Sequence, residues 1–342
     1  MNVRQLTLAT TSLLAALSLA ACSSSSGGSA RTDAAGPGGG PTVTVRIPDG
    51  GNSGVLALAR KDGSLDKALA KVHAKVAWTG TAGAFAPAAQ ELDADALDVA
   101  EGSITSAIAA LAQSPGFKLF AAVDPDQLGE GILVKKDSGI NSISDLAGKK
   151  VAVWHGGTSE YLLLKALEQN HVPVDRVTRV YLQPNQIGPV FNSGQVDAWS
   201  TWATYSIPAV ANSGARFLTT GGQVGSENYA VWAVRNGFAK DHPEVVKALY
   251  DYLHQAGIEQ QKNPEAYLNV KTTSGPEAVS PAQKAVELPI DKALGTAQPI
   301  GATQLAHFAT VARFFADQKI TKGTLDVTPY VIDITAPAAA AK

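Results

Sequence analysis

Three short stretches of the chain place glycine beside serine, threonine or asparagine, each between an apolar strand pattern and a helical pattern. They are IPDGGNSGV at residues 47–55, AEGSITSA at 100–107 and WHGGTSEY at 154–161. The first turn of a helix leaves backbone N–H groups free, and these groups together with the positive end of the helix dipole favour an anion or another hydrogen-bond acceptor. These stretches therefore predict the binding of a small polar solute.

Each turn also has a purely structural explanation. Serine or threonine at a helix start is first of all an N-cap, worth about 1 kcal/mol, and capping accounts for Ser53, Ser103 and Thr158 taken one at a time. Three such turns in lobes that face each other favour a shared site instead. The candidate ligand-binding residues of these turns are Asn52, Ser53, Gly102, Ser103, Trp154, Thr158 and Ser159.

Residues 192–205, NSGQVDAWSTWATY, hold two of the five tryptophans of the chain. Trp199 and Trp202 lie three positions apart, so on a strand their side chains point to opposite faces. Both can fill the core between a sheet and a helix. We expect Trp202, at the end of the strand, to reach the cleft, and Trp154, at the end of its own strand, to form another wall.

The sequence contains no pattern typical of a catalytic or metal site. The phosphate-binding pattern G-x-x-x-x-G-K-[ST] and the nucleophile pattern G-x-S-x-G are absent, and the six histidines have no metal-ligand spacing. We therefore expect no catalytic residue, no metal and no cofactor. The formal net charge of −2 and the pI near 6.3 give no indication of a nucleic-acid partner.

The amino terminus predicts export. Residues 1–21 have a charged start and a short apolar run, which is typical of a signal peptide. Leu19 to Cys22 resemble the lipobox of bacterial lipoproteins, which predicts a lipid on Cys22, the single cysteine of the chain. The alternative is an ordinary signal peptide with an incidental cysteine. Residues 22–41 combine the lipidated cysteine with a Ser/Gly-rich flexible linker. We expect an extracytoplasmic protein that a lipid anchors to the cell membrane.

From Thr42 onward, strand patterns alternate with helical patterns of about 10–15 residues. This alternation is typical of βαβ units with parallel sheets. It restarts near residue 130, which predicts two α/β lobes with a cleft between them. Small-molecule sites occur preferentially in clefts between domains and beyond the carboxyl ends of strands.

The order of these parts resembles the substrate-binding proteins of ABC importers for aliphatic sulfonates, taurine and nitrate, which have relatives that bind thiamine-precursor pyrimidines. The segments that carry the resemblance are the lipobox, the linker, GTSEYLLLKALEQ and SGQVDAWSTWATY. It implies the type II periplasmic-binding-protein fold, with two α/β lobes, a hinge crossed twice and a ligand enclosed by lobe closure. The implied bounds are 42–129 with 234–342 for lobe I and 130–233 for lobe II.

The resemblance also implies roles for individual residues. Thr158 and Ser159 lie against the acid oxygens of the ligand, and the turn at Gly102 and Ser103 lies opposite them. Asp197 and the tryptophans surround the body or amine end of the ligand, and Tyr229 is a further candidate. The implied partners are a small solute and the permease and ATPase subunits, with a monomer as the expected state.

The sequence departs from the family pattern in ways that bear on the ligand. An acidic residue is missing after Trp202, where Ala203 stands, and Ser103 replaces a common aspartate. Glu101 and Glu160 adjoin the proposed anion cradles, and no Lys or Arg lies in the three turns. If either glutamate faces the cleft, a zwitterion, a cation or a neutral heterocycle is favoured over an anion. Two further hypotheses remain open, namely an enzyme on the same fold and a lipoprotein used for adhesion or assembly.

Overall fold

The computed structural model of the protein describes residues 42–81, 83–113 and 116–336. The predicted signal peptide, Cys22 and the linker lie outside these residues. The strands are β1 (Val43–Asp49), β2 (Ala74–Thr81), β3 (Val99–Ser103), β4 (Phe117–Val123), β5 (Gly131–Lys135), β6 (Lys150–Val153), β7 (Thr178–Tyr181), β8 (Ala198–Thr201), β9 (Ala215–Thr220) and β10 (Ala230–Arg235). No helix in this described part is both long and apolar enough to cross a membrane.

The helices alternate with the strands along most of the chain. They are α1 (Val55–Asp62), α2 (Ser64–Leu69), α3 (Phe85–Asp93), α4 (Ile104–Leu111), α5 (Thr158–Gln169), α6 (Pro184–Asn192), α7 (Ala203–Asn212), α8 (Asn236–Asp241), α9 (Pro243–Lys262), α10 (Pro281–Ala293) and α11 (Ala302–Asp317). Short 3₁₀ turns occupy Ala70–Val72, Ile143–Leu146, Val174–Arg176, Pro264–Tyr267 and Thr328–Tyr330. Gly63 ends α1 in the left-handed region at φ 67°, as the sequence predicts.

The strands form three sheets. A five-stranded sheet with the order β7-β6-β8-β5-β9 takes all its strands from residues 131–220, and the sheets β3-β10-β4 and β1-β2 take theirs from the residues before and after. The predicted boundary near residue 130 agrees with this division of the strands, but the boundary between residues 233 and 234 falls inside β10, a strand of the sheet β3-β10-β4. The lobe bounds remain a prediction.

The expectation of purely parallel sheets is wrong for part of the fold. β1 pairs with β2, and β6 with β7 and β8, in parallel register, but β10 is antiparallel to both β3 and β4, and β5 is antiparallel to both β8 and β9. The reason is the route of the chain. The chain returns from the five-stranded sheet into β10, which lies between β3 and β4, two strands from much earlier in the sequence. β10 therefore enters their sheet from the opposite end.

Two connections join the five-stranded sheet to the sheet β3-β10-β4, namely residues 124–130 and residues 221–229. They run side by side, because the N–H of Gly221 donates to the carbonyl of Glu130 at 2.7 Å and the N–H of Gly222 donates to that of Gln127 at 2.9 Å. A Cβ on Gly221 would lie 2.5 Å from the carbonyl oxygen of Asp126, so a side chain at this position would separate the two segments.

The largest hydrophobic cluster contains residues from both predicted lobes. It contains Ile104, Ala107 and Ile108 of α4 together with Tyr161 and Leu162 of α5, all buried. Because α4 and α5 share this cluster, their packing brings the starts of the two helices together. The starts of α4 and α5 are two of the three turns that the sequence analysis selects.

Candidate functional site

The start of α5 follows the end of β6 through a tight turn. Gly156 adopts φ 67°, which an L side chain rarely takes. The hydroxyl of Ser159 accepts a hydrogen bond from the N–H of Trp154 at 2.7 Å and donates to the carbonyl of Trp154 at 3.2 Å. The hydroxyl of Ser159 is thus used to hold the turn, and the backbone N–H is what Ser159 can offer to a ligand.

The first turn of α5 is buried and has no cap. Gly157 occupies the N-cap position without a side-chain hydrogen bond, and residues 156–160 are all buried. Among the described residues, the N–H groups of Gly157, Thr158 and Ser159 have no acceptor. Buried N–H groups at a helix start need a partner, so this turn is prepared for a group that brings acceptor oxygens.

The start of α4 faces this turn. Ser103 caps α4, because its hydroxyl accepts a hydrogen bond from the N–H of Ser106 at 3.3 Å. A Cβ on Gly157 would lie 3.0 Å from the hydroxyl oxygen of Ser106, and a Cβ on Gly156 would lie 3.4 Å from the Cβ of Ala109. The second and third turns of the sequence analysis therefore meet. We call residues 156–159 and 103–106 together the paired corner.

Two positions of these turns, Gly102 and Gly157, require glycine for close packing, and Gly156 requires it for its positive φ. A Cβ on Gly102 would lie 2.3 Å from the ring of Phe85 in α3, and one on Gly157 would lie 2.9 Å from the ring of Trp154. Gly102 therefore serves the contact between β3 and α3. At Gly156 and Gly157 the missing side chains allow α4 to approach the start of α5.

Glu160 is buried at the paired corner and its charge is compensated. Its carboxylate accepts hydrogen bonds from the N–H of Gly156 at 2.8 Å, from Arg179 at 2.8 Å and from the hydroxyl of Tyr181 at 2.5 Å. His155 Nδ1 lies 2.9 Å from the second oxygen. Desolvation and the nearby Glu160 raise the pKa of Tyr181 to about 12. Arg179 thus supplies the positive charge that the turn itself lacks.

Glu101 is the opposite case. It lies near the carboxyl end of β3, opposite Trp232 of β10, and its side chain is exposed. Among the described residues it has no hydrogen-bonding or ion-pair partner. The neighbouring protein partly desolvates the carboxyl group although it reaches solvent, and this desolvation raises the pKa of Glu101 to about 7. Glu101 therefore presents an unpaired carboxyl group two residues before the cap of α4.

An open pocket of about 320 Å³ lies beside the start of α5. This volume is at the small end of the range for ligand sites in proteins. The pocket is lined by Trp154, His155, Tyr181, Leu182, Gln183 and Gln186. Trp154 therefore forms a wall of this pocket, while its contact with a ligand stays a prediction. Trp202 follows the end of β8, the strand beside β6, and is half-buried against the ring of Tyr205 at 5.0 Å.

The first glycine-rich turn is not part of this arrangement. The side chain of Asn52 is buried and bonds to the segment after α9: its amide donates to the carbonyl of Thr272 at 2.9 Å, and its oxygen accepts from the N–H of Lys271 at 2.7 Å. Ser53 is half-buried, and the N–H of Gly54 donates to the carbonyl of Tyr267. A neighbouring segment thus already uses the polar atoms of the Asn52 side chain, and a role of Asn52 in ligand binding stays a prediction that these contacts do not favour.

Two residues of the VDAW segment lie away from the paired corner. Asp197 precedes β8, and its carboxylate accepts a hydrogen bond from the N–H of Lys150 at the start of β6 at 2.8 Å. Since β6 and β8 are parallel, Asp197 lies at the edge opposite Trp154. Trp199 is 3% exposed and packs against Phe191 of α6. Asp197 therefore fixes strand pairing, and Trp199 fills the core.

Tyr229 is also a core residue. Its ring packs against His307 and Phe308 of α11 at centroid distances of 5.5 and 5.6 Å, and 7% of the residue is exposed. Its carbonyl accepts a hydrogen bond from the N–H of Ile104 at 2.8 Å. The backbone of Tyr229 thus supports the start of α4, while its ring points away from the paired corner.

The sequence analysis missed polar residues that lie close to this corner. Ser200 and Thr201, at the carboxyl end of β8, are fully buried and have no hydrogen-bond partner for their hydroxyl oxygens among the described residues. Two hydroxyl residues that end an apolar strand are a signal that could have been used. Asn228 and Glu130, in the two connections, gave no sequence signal. Within the described residues, no group of three or more His, Cys, Asp or Glu is placed to hold a metal ion.

Comparison with known proteins finds a matching family model and similar sequences. A family model described as NMT1/THI5 like matches residues 86–267. A protein of Bacillus subtilis (strain 168), named for binding aliphatic sulfonates, is 31% identical over 208 residues, which are 61% of this chain and 62% of that protein. The taurine-binding periplasmic protein of Escherichia coli (strain K12) is 34% identical over 176 residues, 50% of this chain and 54% of that one. The chain thus matches less than two thirds of the length of either relative.

Solved structures show the same fold at lower identity. The alkanesulfonate-binding protein SsuA from Xanthomonas axonopodis pv. citri, bound to MOPS, superposes with a TM-score of 0.76 at 21% identity, covering 86% of this chain and 99% of that one. The desulfurization enzyme DSZB superposes with a TM-score of 0.60 at 19% identity, covering 84% and 96%. These likenesses confirm the predicted α/β fold, and they include both a binding protein and an enzyme.

Proposed function

The chain belongs to the NMT1/THI5-like family, and from that premise we propose that it is the solute-binding receptor of an ABC importer, with a small sulfonate or a related oxyanion as its ligand. The paired corner would hold the acid oxygens, and closure of the two lobes would enclose the solute. The relatives named for aliphatic sulfonates and taurine support this ligand class.

The observation that carries the proposal is the uncapped, buried start of α5. The N–H groups of Gly157, Thr158 and Ser159 have no acceptor among the described residues. A hydrogen bond to a charged group contributes about 1.5–3 kcal/mol, so three or four such bonds supply roughly 5–12 kcal/mol. Micromolar affinity corresponds to about 8 kcal/mol, so the corner can hold an oxyanion without a cationic side chain of its own.

The neutralisation of Glu160 supports an anionic ligand. An uncompensated carboxylate four residues after Gly156 would repel an oxyanion, but Glu160 is paired with Arg179 at 2.8 Å. Its bond to the N–H of Gly156 also keeps the turn in place. Glu160 thus stabilises the paired corner, while Arg179 compensates the negative charge of Glu160.

The unpaired Glu101 supports a narrower candidate, a sulfonate that also carries an amine. A cationic group two residues from the α4 cap would gain an ion pair with a carboxyl group that has no partner in the described chain. This would favour taurine over a plain alkanesulfonate. A cationic or heterocyclic solute without an acid group would use Glu101 but would leave the α5 N–H groups without acceptors.

We further propose an extracytoplasmic location, a lipid on Cys22 and delivery to permease and ATPase subunits. The periplasmic name of the taurine-binding relative supports the location. We propose no catalytic activity, because both relatives are named as binding proteins. Incubation of the purified protein with its best ligand, followed by product analysis, tests this: any turnover would support the enzyme hypothesis that the DSZB neighbour illustrates.

The experiment that tests the ligand class is isothermal titration calorimetry of the purified protein. The panel is ethanesulfonate, taurine, nitrate, ethylamine and a hydroxymethylpyrimidine. We expect micromolar or tighter binding of a sulfonate and no binding of ethylamine. Binding of ethylamine or the pyrimidine with no binding of any oxyanion would contradict the proposal.

A further inference from the structure

A buried polar cluster connects the paired corner with the two connections between the sheets. Its centre is Asn228, which is 1% exposed. The amide nitrogen of Asn228 donates to Glu130 at 2.6 Å and to the hydroxyl oxygen of Thr158 at 3.0 Å. Its amide oxygen accepts from the hydroxyl of Thr105 at 2.8 Å and lies 3.4 Å from the N–H of Thr105. Every hydrogen-bonding group of this side chain therefore has a partner.

The surroundings fix the orientation of this amide. The backbone N–H of Thr105 can only donate, so it must face the oxygen of the Asn228 amide. The NH₂ group then faces Glu130 and Thr158. With the amide reversed, the NH₂ group and the backbone N–H of Thr105 would be two donors facing each other. Asn228 therefore donates to Thr158 and cannot accept from it.

This direction determines what Thr158 can do. A hydroxyl has one hydrogen to donate and lone pairs that accept. Because the Thr158 oxygen accepts from Asn228, its own hydrogen remains for another acceptor, and no acceptor for it lies among the described residues. Thr158 is the first residue of α5, next to the free N–H groups, and is 6% exposed. The hydroxyl hydrogen of Thr158 is thus a fourth donor of the paired corner, beside the three free N–H groups of α5.

We propose that Asn228 is a positioning residue, which holds the Thr158 hydroxyl as a hydrogen-bond donor and so makes the paired corner selective for groups that only accept. This inference rests on the proposed function, since it concerns the same site. Each oxygen of a sulfonate can only accept hydrogen bonds, whichever oxygen faces the paired corner. The nitrogen of a sulfonamide carries N–H donors, which would be repelled by the donors of the paired corner. Ligand selection then depends on a residue that itself does not touch the ligand.

Glu130 completes the cluster. It is 6% exposed and lies in the first connection, where burial and the nearby Asp126 raise its pKa well above the ordinary value. It accepts one amide hydrogen of Asn228, so the other is directed to Thr158. Ser226, whose hydroxyl bonds to Glu130 and accepts from the N–H of Asn228, touches the cluster without touching Thr158.

The test reverses the direction of the bond. In Asn228→Asp, the new carboxylate accepts from the Thr158 hydroxyl and draws its hydrogen away from the ligand. Because a second carboxylate beside Glu130 can destabilise the fold, the substitution is made in a Glu130→Gln background, and thermal unfolding checks that the variant is folded. We expect calorimetry to show at least a tenfold loss of ethanesulfonate affinity relative to Glu130→Gln alone. The matched control Ser226→Ala should change the affinity less than twofold.

A double-mutant cycle separates positioning from simple charge repulsion. Thr158→Val removes the hydroxyl that Asn228 is proposed to direct. In that background, Asn228→Asp should cost at least about threefold less affinity than with Thr158 present, because only repulsion by the carboxylate remains and no hydroxyl is left to be reversed. An equal loss in both backgrounds would show that the carboxylate repels the anion directly, and an unchanged affinity in the first background would show that Asn228 has no role. Either result overturns this inference. If the wild-type protein binds no oxyanion at all, it is the proposed function that fails.

Discussion

The turn after β1 and the turn after β6 have nearly the same composition but different hydrogen-bond partners. In the first, Asn52 has five hydrogen-bonding contacts, all to residues 269–277, so its polar atoms are used within the protein. In the second, Ser159 closes the turn, and three N–H groups and the Thr158 hydrogen remain without acceptors in the described chain. Glycine and hydroxyl residues thus build a structural joint in one place and a binding surface in the other.

The difference teaches that composition alone does not identify a binding turn. What separates the two turns is which donors remain after the protein's own acceptors are counted. A long segment after α9 returns to the first turn and supplies hydrogen-bond partners to Asn52. In the described chain no segment supplies acceptors to the free N–H groups of α5, and the hydroxyl groups at the adjacent start of α4 bond to one another. The comparison predicts that substitutions in the first turn change stability and those in the second change affinity.

The largest expected effect is on stability, from Asn52→Ala. The substitution leaves several buried backbone groups without partners, so we expect a loss of about 3 kcal/mol in the free energy of unfolding. For a chain of this size the melting temperature should fall by about 6–10 °C. Ligand affinity should stay within twofold, and the neighbouring Ser53→Ala should change neither quantity. A large loss of affinity at unchanged stability would show that the first turn is a binding surface after all.

The next effect is on affinity, from Thr158→Val. Loss of one donor to a charged ligand should weaken sulfonate binding by about 1.5–3 kcal/mol, which is roughly 10- to 150-fold. Thr158→Ser keeps the hydroxyl and should retain most of the affinity. Calorimetry of both variants measures this directly. Equal affinities of the valine and serine variants would mean that the hydroxyl does not contact the ligand.

Ser159→Ala should combine a moderate loss of stability with a small loss of affinity. The substitution frees the N–H and the carbonyl of Trp154, so the expected cost is about 1–2 kcal/mol of unfolding free energy. The ligand keeps the N–H of residue 159, so binding should weaken less than in Thr158→Val. The ratio of the two effects in chemical denaturation and calorimetry checks this order, and the reverse order would assign the Ser159 hydroxyl to the ligand.

The smallest effect concerns pH and Glu101, which lies beside the paired corner. The pKa of Glu101 is raised from 4.5 to about 7, so between these values the folded protein holds a proton that the unfolded chain has released. Its contribution to stability therefore falls as the pH rises from about 4.5 to 7. Glu101→Gln should stabilise the protein at pH 8 and leave it unchanged at pH 4, as thermal unfolding at both values can show. A gain of equal size at pH 4 would mean that Glu101 does not titrate in this window.

The sequence predicts those features of the fold that depend on local patterns. The alternation of strands and helices and the glycine that ends α1 follow from periodicity and backbone preferences. The antiparallel position of β10 between β3 and β4 cannot be predicted in this way, because it depends on contacts between strands that are distant in sequence. Local periodicity carries no information about which strand lies beside which.

The same distinction applies to the candidate site. The start of α5 could be selected from its glycines and hydroxyls, but the hydrogen bonds of Asp197 and Asn52 could not be anticipated, since each residue bonds to a partner that local patterns do not bring near it. Asn228 escaped notice because its partners come from α4, α5 and the first connection. Such a residue becomes visible only when the hydrogen bonds of the whole cluster are counted.

The central claim is that the uncapped start of α5 receives the oxyanion of a solute. Amide NMR of ¹⁵N-labelled protein during titration with ethanesulfonate tests it most directly, with Gly51 and Gly54 of the first turn as internal references. We expect the amide signals of Gly157, Thr158 and Ser159 to move downfield together and to saturate at the calorimetric affinity, while the references stay in place. Binding that leaves these three signals unmoved would contradict the claim.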